Sequence, residues 1–483
     1  MNQLKQLFED KKSLYVTLCI SVLYVFPLAV IDYQYIDDVG RYLFGYGWQH
    51  DGRFMATLLG KIWSMNDTIF AIHPYSLFIG GVLLGFTGFI ISKLFDLEQD
   101  KLLKWSSLLV LTAPPFLGNI VFKFDIIPMT LSLLCVVFPF LYFQDRKKFV
   151  SISLLGVFIS LGLYQSATTV FLMVASYFLI KNLKEGQWRN FLVNVGIVIG
   201  VFLAATLCYV LVVRLLDMPL TRGEMIFSSN HFMESLHQNY LVFRQRMELL
   251  FNSSNYRVLF GFFVLINALS YILTSVQSDF KVKRMMLMPI VTLVILINYL
   301  LISGVNILLV ESYSDLRIFN GFGIFLVLLM SFQSELRGIY RQIGRISAAL
   351  LVLFSFVMIS QFAFILSNQT KLQNAISQEL TPYFRDKNID KVAFRATLRT
   401  APQNNLIYDK YPIFKNILSS PIGEYSAWTK QLLNTNDMLT GVEVISVEGK
   451  MCDFELVKET KLYHIRKIDE STLLIDFSRE ECN

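Results

Sequence analysis

Charge is scarce in this sequence. Asp, Glu, Lys and Arg make up 17% of its 483 residues, where an ordinary soluble domain carries about 25%. That shortage excludes a polar surface wrapped around a single water-soluble core. Histidine is equally thin, with five residues scattered along the chain, and the five cysteines show no Cys/His spacing of a zinc site. No internal repeat or low-complexity linker divides the chain, and no nucleotide-sugar motif of a soluble enzyme is present. The formal net charge of +6 is too small and too dispersed to point to nucleic acid.

Apolar residues take up the space that charge leaves. They form 54% of the chain, and the mean hydropathy is +0.50. They come in blocks of roughly 15–23 residues, the length needed to cross about 30 Å of hydrocarbon. About eleven spans result: Leu14–Val30, Leu77–Ile91, Trp105–Val121, Ile126–Phe143, Phe149–Leu163, Ala167–Ile180, Phe191–Val213, Val258–Val276, Met285–Ile302, Ile318–Phe332 and Ile346–Leu366. A polytopic α-helical membrane protein is expected.

Orientation follows from Lys and Arg. One set of short loops is basic throughout: Lys5, Lys11 and Lys12; Lys93, Lys101 and Lys104; Arg146, Lys147 and Lys148; Lys181, Lys184 and Arg189; Lys281, Lys283 and Arg284; Arg337, Arg341 and Arg345. The opposite loops are longer and sparser in positive charge, and Tyr164–Ser166 carries none. The N-terminus is therefore expected in the cytoplasm and, with an odd number of spans, the C-terminus outside. The first span lacks a small-x-small cleavage site and reads as an uncleaved anchor.

Two domains are expected: a transmembrane core over residues 1–366, with outer loops at 31–75 and 214–257, and an extracytoplasmic domain over 367–483. In the latter, charged and polar residues return. "SNQTKLQNAISQELTPYF" has helical spacing, and "KVAFRA", "VEVISV", "KLYHIRK" and "TLLIDF" alternate like strands. A small α/β domain follows. Its Cys452 and Cys482 lie on an oxidising side where a disulfide can form, whereas Cys19, Cys135 and Cys208 fall within spans.

The densest run of charge and aromatics is "DYQYIDDVGRYLFGYGWQHDGR", Asp32 to Arg53. Asp37 or Asp38 can cap a helix starting at Val39, and either can pair with Arg41. Asp51 can cap "GRFMATLLGKIWSM", whose apolar spacing suits a helix lying in the membrane interface. Two capped interfacial helices with local ion pairs account for the stretch without any chemistry. Isolated charges recur at the outer ends of other spans, however: Lys123 and Asp125 in "VFKFDIIP", then Glu311, Asp315 and Arg317 in "VESYSDLRIF". Solvation of a tight turn explains the first pair, and a snorkelling anchor explains Arg317. Yet charges beside hydrocarbon are costly and usually face a cavity or a partner. Carboxylates and cations gathered at one membrane face can form an acid/base centre beside a phosphate site.

Tyr35, Ile36, Asp37, Asp38, Gly40 and Arg41, then Tyr46 and Trp48, then Asp51, Gly52 and Arg53 resemble the first outer loop of the serotype-converting O-antigen glucosyltransferases, the Gtr family. The match is dense over about 20 residues. Elsewhere the likeness is architectural: many spans, "SDLRIFNGFG" before a late span, and a tail opening "SNQTKLQNAI".

The resemblance implies a GT-C-type inner-membrane glycosyltransferase. It would move glucose from undecaprenyl phosphate to the O-antigen repeat on the periplasmic face, supplied by a companion lipid-sugar synthase and flippase. It places essential carboxylates where Asp37 and Asp38 stand. Either can serve as base for the attacking hydroxyl, and displacement in one step inverts the anomeric centre. Arg41, Arg53, Lys123 and Arg317 are candidates for the leaving phosphate. Tyr42, Tyr46 and Trp48 are candidates for stacking on sugar rings, and Asp51 and Asp125 for holding sugar or acceptor. Some members of the wider GT-C group use a divalent metal. Adjacent aspartates on a helix point about 100° apart, awkward for holding one ion, so no obligatory metal or other cofactor is expected. An O-antigen polymerase or a flippase of lipid-linked sugars shares the setting. The former relies on Arg-rich outer loops, and the latter on repeated halves and mid-membrane charge.

Overall fold

The computed structural model describes residues 7–33, 35–97, 103–219, 226, 231–276, 281–310, 312–313, 315–335, 339–384, 389–418, 422–423, 429, 441–447 and 453–478. Glu311, Cys452 and Cys482 lie outside them. The chain forms two compact units. One comprises Met1–Val30, Gly47–Asp67 and Ala71–Ser360, and the other Ile31–Tyr46, Thr68–Phe70 and Gln361–Asn483.

The first unit is helical. Among the described residues, seven helices are long and apolar enough to cross a membrane: Lys11–Ala29, Tyr75–Leu94, Gln165–Lys184, Trp188–Leu215, Asn255–Ile272, Met288–Leu308 and Arg341–Phe384. The last of these runs on into the second unit. Ile126–Tyr142 and Phe322–Ser331 are apolar but shorter. Polar punctuation sets two of the starts. The Asp10 carboxylate accepts from Ser13 N at 3.1 Å ahead of Lys11–Ala29, and Asp145 accepts from Lys148 N at 3.2 Å ahead of Arg146–Leu163. The expected third span, Trp105–Val121, is not one helix. It breaks into Leu103–Ser107, Leu108–Leu111, Pro114–Phe116 and Leu117–Ile120, because Pro114 and Pro115 have no N–H to continue a helix begun at Leu108.

This broken segment packs against the Phe322–Ser331 helix at Gly323. A Cβ on Gly323 would lie 2.8 Å from both Leu109 O and Val110 Cα. The obstacle is backbone, which cannot swing aside. Gly323→Ala is therefore expected to cost about 1–3 kcal/mol through overpacking. The measurement is the loss of monodisperse protein on heating in detergent, and a wild-type melting profile would refute the close approach. Elsewhere the core is aromatic: Phe178 stacks on Phe140 at 5.5 Å and on Phe143 at 4.4 Å.

The second unit holds a five-stranded sheet of β1 (Lys391–Arg395), β2 (Glu443–Ile445), β3 (Glu455–Glu459), β4 (His464–Lys467) and β5 (Thr472–Asp476). The order is β2-β1-β5-β4-β3. β1 runs parallel to β2 and β5, with Lys391 opposite Glu443 and Thr472, while β3, β4 and β5 are antiparallel. Every residue of β5 is buried, as expected of a central strand covered on both faces. Val392, Ile465, Leu473 and Ile475 pack to one side with Ile376, Leu380 and Phe384. Ala393 and Leu474 pack to the other.

Val39 belongs to that first cluster. The Ile36–Phe44 helix is thus built into the core of the C-terminal residues. Tyr35 is extended and its hydroxyl donates to the Ile417 carbonyl. These two anchors start the helix at Ile36 with Tyr35 at the N-cap. Neither Asp37 nor Asp38 caps a helix beginning at Val39. Both sit inside the first turn, where a carboxylate favours the helix dipole.

Candidate functional site

Within the first unit, a charged network starts from a tight turn. Gln49–Asp51 forms one 3₁₀ turn, closed by Gly52 at φ 70°, and the Phe54–Ser64 helix follows directly after Arg53. Asp51 therefore does not cap that helix; Arg53 stands at its N-cap without a side-chain cap bond. The turn is pinned by Trp48, whose backbone N–H donates to Thr57 Oγ1 at 2.8 Å.

Trp48 is 1% exposed, and its indole Nε1 donates to Asp125 Oδ1 at 2.7 Å. Protein covers its ring, so Trp48 supports a carboxylate rather than offering a face to a sugar. Asp125 immediately precedes the Ile126–Val137 helix, where a carboxylate gains from the unpaired N–H groups. Arg53 approaches the same carboxylate: Nη1 lies 3.8 Å from Asp125 Oδ1 and 4.0 Å from Asp51 Oδ2. Its Nε donates to Gln165 Oε1 at 3.1 Å, and its guanidinium carbon lies 4.9 Å from the centre of the Tyr164 ring.

Tyr164 leads to the second arginine. Its hydroxyl donates to the Arg317 carbonyl at 3.0 Å, and Asn119 Nδ2 donates to the same oxygen at 2.9 Å. Gly118 backs this segment, since a Cβ there would lie 3.1 Å from Arg317 N. The Arg317 Nε lies 3.3 Å from Asp315 Oδ2, and Nη2 donates to the Tyr313 hydroxyl. The Phe122 and Tyr313 rings flank the guanidinium at 5.0 Å each.

Burial decides what this network is. Lys123 and Asp125 are each 3% exposed, which rules out the solvated turn. The Arg317 side chain is 12% exposed, too enclosed for a snorkelling anchor. Ionised groups shut away like this are expensive unless paired, and here cations and carboxylates interleave. Such an arrangement is preorganised to meet an anion with cationic hydrogen-bond donors. Among the described residues, no group of three or more His, Cys, Asp or Glu side chains is arranged to hold a metal.

The structure thus gathers Trp48, Asp51, Arg53 and Asp125, and joins Arg317 to them through Tyr164. Tyr164, Gln165, Tyr209 and Asn119 carry no charge and lie outside the Asp32–Arg53 motif, so neither isolated charge nor that motif marks them in the sequence.

The second unit holds the other candidates on its Ile36–Phe44 helix. Asp37 is half-buried and Asp38 is fully buried. Burial, reinforced by the Asp38 carboxylate, holds the phenols of Tyr33 and Tyr42 above their usual range. Both phenols stay neutral at ordinary pH. Arg41 is 5% exposed and its guanidinium lies 5.4 Å from the centre of the Tyr46 ring. Tyr42 and Tyr46 are exposed.

A family model described as "Glucosyl transferase GtrII" matches residues 10–328, a stretch that includes every candidate above. The chain is also 23% identical, over an alignment of 491 residues, to a Salmonella phage P22 protein described as an uncharacterized 55.3 kDa protein in the gtrB 5′ region. That alignment takes in 97% of this chain and 99% of the relative. No solved structure matches the chain.

Proposed function

The chain belongs to the glucosyl transferase GtrII family, and from that premise we propose an inverting GT-C-type hexosyltransferase that moves glucose from undecaprenyl phosphate to the O-antigen repeat on the periplasmic face. The observation that carries this reading is the buried network of Trp48, Asp125, Arg53, Tyr164 and Arg317. An apolar bundle tolerates such a network where an anion must be met away from water. Arg53 and Arg317, with Lys123, take the phosphate of the donor. Asp37 takes the proton of the acceptor hydroxyl as its oxygen bonds to the anomeric carbon. The bond from that carbon to the phosphate oxygen breaks, and the phosphate leaves as a lipid monoester whose growing charge the arginines stabilise. Exposed Tyr42 and Tyr46 offer faces to acceptor sugars, and the fixed Asp125 and Asp51 can hold sugar hydroxyls.

The N-terminus is cytoplasmic in this reading, and the residues after 366 are periplasmic. A synthase and a flippase supply the lipid-linked sugar, and no divalent metal takes part. Mass spectrometry of O-antigen from cells that make the lipid-linked donor tests the transfer. One added hexose per repeat is expected on expression of the chain, and an unchanged repeat mass would sink the reading. In membranes supplied with donor and acceptor, transfer should survive EDTA. Loss of transfer restored by magnesium or manganese would overturn the metal-free part alone.

A further inference from the structure

We infer that Gln165 is a positioning residue for Arg53, an inference that rests on the transferase reading for its kinetic test and on geometry alone for its chemical one. Gln165 lies in the uncharged tripeptide Tyr164–Ser166, directly after the Arg146–Leu163 helix. Its single amide holds three partners. Oε1 accepts from Arg53 Nε at 3.1 Å, and Nε2 donates to the Asp51 carbonyl at 2.7 Å and to the Tyr209 hydroxyl at 3.0 Å. The Tyr209 hydroxyl in turn donates to the Gly52 carbonyl at 3.2 Å. Gln165 therefore ties the Asp51 carbonyl directly, and the Gly52 carbonyl through the Tyr209 hydroxyl, to the guanidinium of Arg53.

The consequence for Arg53 is rotational. A guanidinium has five N–H donors on a rigid plane. With Nε committed to Gln165 and the guanidinium carbon 4.9 Å from the centre of the Tyr164 ring, Nη1 is the nitrogen that lies toward Asp125 and Asp51. Among the described residues, Gln165 hydrogen-bonds to no carboxylate, and it carries no charge. Its contribution is to select one rotamer of Arg53 from the many a long side chain can adopt, so that the ordering cost is met before an anion arrives. The amide supplies from one planar group the acceptor for Arg53, on which the positioning depends, and the donors to the Asp51 carbonyl and the Tyr209 hydroxyl. Leucine fills the volume and supplies neither. Glutamate keeps the acceptor for Arg53 but loses the donor to Asp51.

The test is a double-mutant cycle with purified protein, undecaprenyl-phosphate glucose and O-antigen acceptor. Gln165→Leu is expected to lower kcat about 10- to 30-fold with the donor KM within about 3-fold, and Gln165→Glu should stay within about 5-fold of wild type. In an Arg53→Lys background, Gln165→Leu should add less than about 2-fold, because a residue acting through Arg53 has nothing left to position. Additive losses would show that Gln165 only braces the fold. A second readout needs no turnover. Modification of Arg53 by phenylglyoxal, followed by peptide mass spectrometry, should be faster in Gln165→Leu than in wild type and near wild type in Gln165→Glu. Equal rates in all three would overturn the inference. If wild type transfers no hexose while the modification rates still differ, the transferase reading falls and the positioning role stands.

Discussion

Arg53→Ala is expected to reduce hexose transfer by about three orders of magnitude. A preorganised donor to a developing anionic charge is worth about 10²- to 10³-fold by itself, and Arg53 also holds the turn that sets its own geometry through Gln165. Arg53→Lys keeps the charge but loses the Nε bond and the guanidinium beside the Tyr164 ring, so its loss should be smaller, about 10- to 30-fold. Truncation to alanine has a second effect. Asp125, 3% exposed, would keep the Trp48 indole and lose a nearby positive charge. Removing one partner of a buried ion pair costs about 3–5 kcal/mol, so Arg53→Ala alone should also yield less protein. The double variant Arg53→Ala/Asp125→Asn separates the two effects. The asparagine oxygen still accepts from Trp48 Nε1, and the carboxylate charge that Arg53 faced is removed together with Arg53. Protein in the membrane should recover while transfer does not. Recovery of both would mean that Arg53 acts only as the counter-ion of Asp125, and the phosphate assignment would move to Arg317 and Lys123.

What the sequence discloses about this network depends on how costly each residue is in its surroundings. Asp125 and Lys123 stand out in "VFKFDIIP" because ionisable groups beside hydrocarbon demand an explanation, and both are buried. Gln165 and Tyr164 are inexpensive at the end of a span and carry no such signal, although each joins two parts of the site. Trp48, a sugar-stacking candidate in the sequence, has a role there that only the fold shows. Its indole is covered and bonded to a residue 77 positions away, a pairing that no local pattern contains. The apolar run Trp105–Val121 has a span's length, yet Pro114 and Pro115 break it into short pieces. The hardest feature to foresee is Val39. Its neighbours Ile376, Val392 and Ile475 lie more than 330 positions along the chain, and no local pattern announces that pairing. The misplaced helix start has the same origin. Capping rules favour Asp37 or Asp38, but the anchoring of Tyr35 and Val39 among C-terminal residues outweighs a cap bond of about 1 kcal/mol.

The second large effect is expected at Asp37, and its neighbour supplies the control. A base that accepts a proton in the transition state contributes about 10²- to 10⁴-fold, so Asp37→Asn should lower kcat by that order with little change in the amount of folded protein. The half-buried carboxylate has the access to solvent that an entering hydroxyl requires, and its amide replacement keeps both size and polarity. Asp38→Asn should behave differently. That carboxylate is fully buried, with the phenols of Tyr33 and Tyr42 held neutral around it, on a helix whose Val39 packs with the sheet. Its replacement disturbs the second unit itself, so faster proteolysis of the residues after 361 should accompany any loss of transfer. Both variants need kcat, donor KM and a limited-proteolysis profile measured on the same preparation. Asp37→Asn active, together with Asp38→Asn inactive but wild type in proteolysis, would move the base to Asp38 and require its burial to open during turnover. If both are active, the proton goes elsewhere, and the two aspartates serve only to favour the first turn of their helix.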